Sequence, residues 1–208
     1  MGRLGKDLVN KAVVSLDEGR VLGRVQDVFL DPKLESLTGL VMGSQGLLKR
    51  KVLLIPRDAI AVLGVDAILV KNGDAVTDDQ ALPEAKSWLR REKLSGREVD
   101  TPGGTKLGTV GDVVLEDDGS VSAFALSRVY VEGPLSESRV VDRRAVVDIG
   151  QEDERMTADL TILEKGLTGV TMPEASSPTA DILDDLPAGA ILSDPVQVEV
   201  ENEEKKPD

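Results

Sequence analysis

Leu22-Gly23-Arg24-Val25-Gln26-Asp27-Val28 returns as Leu107-Gly108-Thr109-Val110-Gly111-Asp112-Val113, at an offset of 85 residues. The match extends outward on both sides. Leu8 to Val13 aligns with Leu94 to Val99, and Arg57-Asp58-Ala59-Ile60 aligns with Arg143-Arg144-Ala145-Val146. The turn Asp17-Glu18-Gly19 before the first block is answered by Pro102-Gly103-Gly104 before the second. A period this long is too great for a solenoid unit, so it reads as two copies of one small domain. The repeated residues are turn formers and core formers, which speak to architecture before chemistry.

The block also breaks a rule of strands. Leu22, Val25 and Val28 are separated by odd steps, so a flat strand cannot turn all three to one face. A bulge or sharp bend at Gly23 reconciles them and curls a short sheet toward a barrel. Leu107, Val110 and Val113 repeat the irregularity around Gly108. Strands are expected at Ala12 to Leu16, Val21 to Asp31, Leu37 to Met42, Val52 to Ile55 and Ala67 to Val70. The last three have counterparts at Val121 to Leu126, Arg139 to Val141 and Met156 to Ile162. The chain thus reads as all-β, with two tandem small barrels at residues 1–76 and 92–166. Residues 77–91 read as a helical linker, because helix formers follow Pro83 and basic residues close the segment. Residues 167–208 read as an acidic, flexible tail.

Composition narrows the chemistry. The chain has 208 residues, no cysteine and no histidine. Disulfides, thiolate metal sites and Ser-His-Asp or Cys-His catalysis are therefore excluded. The net charge is −13, and residues 166–208 contribute 10 acidic against 2 basic groups. An acidic body repels phosphate backbones, so no nucleic-acid partner is expected. The longest apolar runs, such as Val52 to Ile55, fall far short of the ~20 residues of a membrane helix. A cytoplasmic protein is the expectation.

The remaining motifs favour structure over chemistry. Asp27 and Asp112 recur at matched positions and are read as acceptors of backbone hydrogen bonds beside a bend. Glu116-Asp117-Asp118-Gly119 and Glu152-Asp153-Glu154 lack the alternating ligand spacing of a calcium loop. Gly103-Gly104-Thr105-Lys106 lacks the rest of a phosphate loop and reads as a hairpin turn. No catalytic residue, cofactor or metal site is expected. Candidate partner-binding groups are the basic clusters Lys49-Arg50-Lys51 and Arg143-Arg144, together with Ile182, Leu183 and Leu186 in the tail. Val196 to Val200 alternates like a strand that could extend a sheet edge.

The glycine turn, Leu-Gly-x-Val-x-Asp-Val, acidic turn, apolar strand and Ile-Pro stop resemble the PRC-barrel family. That is the small β-barrel of the photosynthetic reaction-centre H subunit and of the C-terminal part of the ribosome maturation factor. Gly19, Leu22, Gly23, Val25, Asp27, Val28, Asp31, Ile55 and Pro56 carry the match in the first copy. Leu107, Gly108, Val110 and Asp112 carry it in the second, where Val141-Asp142 replaces the Ile-Pro stop. The resemblance spans roughly residues 4–165. Because the side chains that usually do chemistry are absent, a non-enzymatic interaction or adaptor module with a protein partner is the expected function. An accessory role in a photosynthetic or electron-transfer complex is the alternative, and ribosome assembly is third.

Overall fold

A computed structural model describes residues 2–45, 51–150 and 155–166. The first copy runs β1 (Arg3–Leu4), a 3-10 turn Gly5–Leu8, β2 (Ala12–Ser15), β3 (Val21–Arg24) and β4 (Asp27–Leu30). It continues with β5 (Leu37–Gln45), β6 (Lys51–Pro56), a 3-10 turn Arg57–Ala59, β7 (Ile60–Leu63) and β8 (Ala67–Val70). Next come β9 (Thr77–Asp78), a 3-10 helix Pro83–Ser87 and β10 (Leu89–Arg90). The second copy repeats the order: a 3-10 turn Arg91–Lys93, β11 (Glu98–Asp100), β12 (Lys106–Leu115) and β13 (Val121–Val129). After a short helix α1 (Pro134–Ser138) follow β14 (Val140–Asp142), a 3-10 turn Arg143–Ala145, β15 (Val146–Asp148), β16 (Arg155–Ala158) and α2 (Leu160–Gly166). The chain is mostly β, and its helices are short.

The strands form three sheets. One has the order β3-β2-β8-β7, a second β10-β4-β5-β6-β9, and the third β14-β13-β12-β11-β16-β15 with β1 added on β12. The stretch expected as one strand, Val21 to Asp31, divides at Val25-Gln26. Before the break it pairs with β2, and after it with β5. In the second copy the equivalent residues stay in one strand, β12, whose register shifts on both sides of Val110. Either device changes side-chain parity. Val25, Val28, Leu107, Val110 and Val113 are accordingly all buried, and Leu22 packs against the same core. Gly19 closes the β2–β3 hairpin with φ +64°.

The segment 77–91, expected as a connecting helix, is helical only over Pro83–Ser87. The side chain of Asp78 accepts the N–H groups of Gln80 and Ala81, which folds the chain back before a helix can start. The strands on either side join sheets: β9 pairs with β6, and β10 with β4. Trp88 stands edge-on to Phe29, 5.7 Å between ring centres. The strand expected over Met156 to Ile162 ends at Ala158. Asp159 takes over as a cap, its carboxylate accepting the Thr161 N–H at 2.8 Å, and α2 follows.

The copies exchange their leading strands. β1 of the first copy pairs with β12 of the second, Leu4 opposite Val114. β10, which leads into the second copy, pairs with β4 of the first, Arg90 opposite Phe29. Leu4 is buried among Val114, Ala123, Ala125 and Val140. The main hydrophobic cluster contains Leu8, Val13 and Ile68 from the first copy with Leu94, Val99 and Met156 from the second. All described residues fall in one compact unit.

Candidate functional site

The recurring aspartates meet at one arginine. Asp27 opens β4, where the chain has just changed sheets, and Asp112 sits in β12 between register shifts. Arg91 begins the 3-10 turn after β10. Its Nε donates to Asp27 Oδ1 at 3.0 Å and its Nη1 to Asp112 Oδ1 at 3.4 Å. The other oxygen of each carboxylate accepts a backbone N–H from the opposite copy. Lys6 N–H reaches Asp112 Oδ2 at 2.9 Å, and Glu92 N–H reaches Asp27 Oδ2 at 3.2 Å. Asp112 Oδ1 also accepts the N–H of Val113. The side chains of Asp27, Asp112 and Arg91 are 4%, 6% and 16% exposed.

Burial works against the charge on Arg91, but the carboxylates of Asp112 and Asp27 outweigh it. The guanidinium pKa lies above its ordinary value. Two carboxylates around one guanidinium leave one net negative charge, which the backbone N–H donors stabilise. Both acids have their oxygens engaged, so the cluster ties the copies together and offers no unengaged base for proton transfer.

A second reciprocal contact joins the turns. Leu37 N–H donates to Gly119 O at 2.8 Å, and Val121 N–H donates to Glu35 O at 2.8 Å. Arg57 reaches across to the Asp118 carbonyl at 2.8 Å. Its counterpart Arg143 donates to the carbonyls of Leu34 at 2.9 Å and Lys33 at 2.7 Å. Arg143 therefore serves a contact within the chain. Arg144 projects outward and pairs with Asp142 at 2.7 Å. Its pull, opposed by burial, lowers the Asp142 pKa. Asp142 also accepts the Arg144 N–H, so it starts the same 3-10 turn that Pro56 starts in the first copy. Lys51 pairs with Asp78 at 3.1 Å. Lys49, Arg50, Ile182, Leu183 and Leu186, as well as Val196 to Val200 and Glu152 to Glu154, lie outside the described residues. Among the described residues no group of three or more acidic side chains is placed to hold a metal ion.

Arg91 escaped the sequence reading because it resembles the basic end of a helix. The repeat itself holds the signal. Carrying the alignment of Leu8 with Leu94 back three residues sets Arg91 against Gly5, a large cation against the smallest residue.

Residues 2–76 match the family model of the PRC-barrel domain. The match takes in Gly19, Leu22, Gly23, Val25 and Asp27 together with the Ile55-Pro56 stop. Comparison with curated proteins gives no match.

Proposed function

We propose that the chain is a non-enzymatic protein-interaction module of the cytoplasm. It is built from two PRC-type barrels at residues 1–76 and 92–166, linked through residues 77–91. The return of the same element order from β10 onward supports the second barrel. The observation that carries the functional reading is the engagement of Asp27, Asp112 and Arg91 with one another. The paired acids, the side chains best suited to chemistry, hold the copies together, and recognition is left to the outer surface. Among the described residues no helix is long and apolar enough to cross a membrane.

The test is affinity capture with the full chain from its native extract, followed by reconstitution of the captured protein from purified components. A partner that binds in reconstitution supports the reading. A reproducible catalytic turnover abolished by Asp27→Asn, with the fold intact, overturns it.

A further inference from the structure

The two copies build the same sheet and give it opposite outer faces. In the first, Val21 lies opposite Val14, Val14 beside Leu69, and Leu69 opposite Val62. Their strand neighbours Val13 and Ile68 are buried in the core, so alternation turns Val14 and Leu69 outward. The result is one aliphatic row across four strands, about 14 Å long at the usual strand spacing. Its ends are open to solvent, Val21 at 63% and Val62 at 48% exposure.

In the second copy the equivalent row is Lys106, Asp100, Thr157 and Asp148. Glu98 and Arg155 flank it. Ion pairs knit that face together: Lys106 to Glu98 at 3.2 Å, Arg155 to Asp100 at 3.3 Å and Arg155 to Glu98 at 3.6 Å. The fold therefore does not require aliphatic residues here, because the second copy makes the same strand pairings with polar ones. A contiguous apolar row, half-buried at Val14 and Leu69 and exposed at its ends, that the architecture does not need marks a contact surface.

The charges on the first face say what kind of partner fits. Arg24 lies opposite Ala12 on one side of the row. Lys71, two residues beyond Leu69, lies on the other. No acid occupies an outward strand position of this face; Asp17, Glu18, Asp58, Asp66 and Asp74 belong to the segments that connect or follow its strands, and Glu18 is paired with Arg20 at 2.8 Å. The row also runs across the strands, whereas an added strand would run along an edge. A helix laid over it presents an apolar stripe of matching length in about three turns.

We propose that this face, Val21-Val14-Leu69-Val62 between Arg24 and Lys71, docks an amphipathic helix of a partner protein whose apolar stripe is flanked by acidic residues. This rests on the interaction reading above and names its surface.

The test uses the full chain and two labelled synthetic helices of about 18 residues, with the same leucine stripe and either Glu or Lys flanks. The variant is Val21→Lys with Val62→Asp, the second copy's residues at two exposed sites, checked for an unchanged unfolding midpoint. The Glu helix should bind the parent chain, about tenfold or more tighter than the Lys helix, and weaken by about tenfold or more on the variant. Binding of the Glu helix should also fall with added salt. Absence of binding at the peptide's solubility limit, equal binding to parent and variant, or equal binding of the two helices would overturn the proposal. So would sedimentation showing a parent dimer that the variant breaks, since a second copy would then own the face. If the variant still binds the partner captured by the parent chain, the face is wrong and the interaction reading stands. If the parent captures no partner, the reading itself fails.

Discussion

Gly5 and Arg91 stand at matched positions of the two copies, and the space between them admits one side chain. A Cβ on Gly5 would lie 2.7 Å from Arg91 Cδ and 2.8 Å from Val113 Cγ2. One copy yields the space, and the other fills it with the guanidinium that both aspartates share. Gly5→Ala is expected to lower stability by about 1–3 kcal/mol through overpacking. The check is the urea midpoint, with the slope of the transition unchanged. An unaltered midpoint would mean that Arg91 is free to move aside.

Removing the guanidinium should cost more than crowding it. Arg91→Met leaves the carboxylates of Asp27 and Asp112 buried together, with only backbone donors to stabilise them. Breaking a buried ion pair from one side costs about 3–5 kcal/mol. Adding Asp27→Asn and Asp112→Asn to that variant should recover part of the loss, because neutral amides carry no buried charge. Urea denaturation of the parent, the single variant and the triple variant measures both effects. Failure of the asparagines to help would show that the loss does not come from buried, unpaired charge.

Part of this arrangement was legible in the sequence. The odd spacing of Leu107, Val110 and Val113 announced a bulge because parity along a strand is strict, and the register shifts around Val110 supply it. Asp27 and Asp112 were legible as acceptors of backbone hydrogen bonds, but their common cation was not. Arg91 is 64 residues from Asp27 and reads as an ordinary basic end. The strand exchange was hidden because Arg3-Leu4 and Leu89-Arg90 are each too short to show periodicity. The aliphatic row escaped notice for a related reason. Val13-Val14 and Ile68-Leu69 are apolar on both faces, so alternation could not tell core from surface.

The two motif glycines should fail differently when replaced. Gly23 has φ +148°, and a Cβ there would meet only the flexible Met42 Cε at 3.1 Å. Gly23→Val is expected to cost about 1–3 kcal/mol, mainly as backbone strain. At Gly108 the obstacle is the neighbouring strand, since a Cβ would lie 2.3 Å from the Arg128 carbonyl oxygen. Gly108→Ala should therefore be at least as damaging as Gly23→Ala, and should loosen the β12–β13 pairing. Hydrogen exchange at Thr109 and Arg128 distinguishes the two cases. Protection there should drop in Gly108→Ala and persist in Gly23→Ala.

Acid should weaken the turn at Asp142. Its carboxyl is held below the ordinary carboxylate range chiefly by the hydrogen bonds from Arg144. A depressed native pKa adds stability at pH values above the unfolded pKa of about 4. That contribution is lost as pH falls through the native value. Arg144 is mostly exposed, so solvent screens the pair and the effect is small. Urea midpoints measured from about pH 6 down to about pH 2 should fall less steeply in Asp142→Ala than in the parent. Identical slopes would remove Asp142 from the acid limb.

The exchange of leading strands makes the sharpest demand on the architecture. β1 completes a sheet of the second copy, and β10 completes a sheet of the first. A cut in the turn near Ala81 leaves each piece with an unpaired strand edge, β4 in one and β12 in the other. It also divides the ion cluster, with Asp27 on one fragment and Arg91 and Asp112 on the other. The main core cluster is split in the same way. Residues 1–80 and 81–208 produced separately should therefore each lack a cooperative thermal transition. Mixed, they should form a one-to-one complex whose midpoint rises with concentration, because association and folding become one equilibrium. Arg91→Met in the second fragment should weaken that complex. If either fragment alone melts cooperatively at the parent temperature and ignores the other, the exchanged strands add nothing to cohesion and the copies are independent domains.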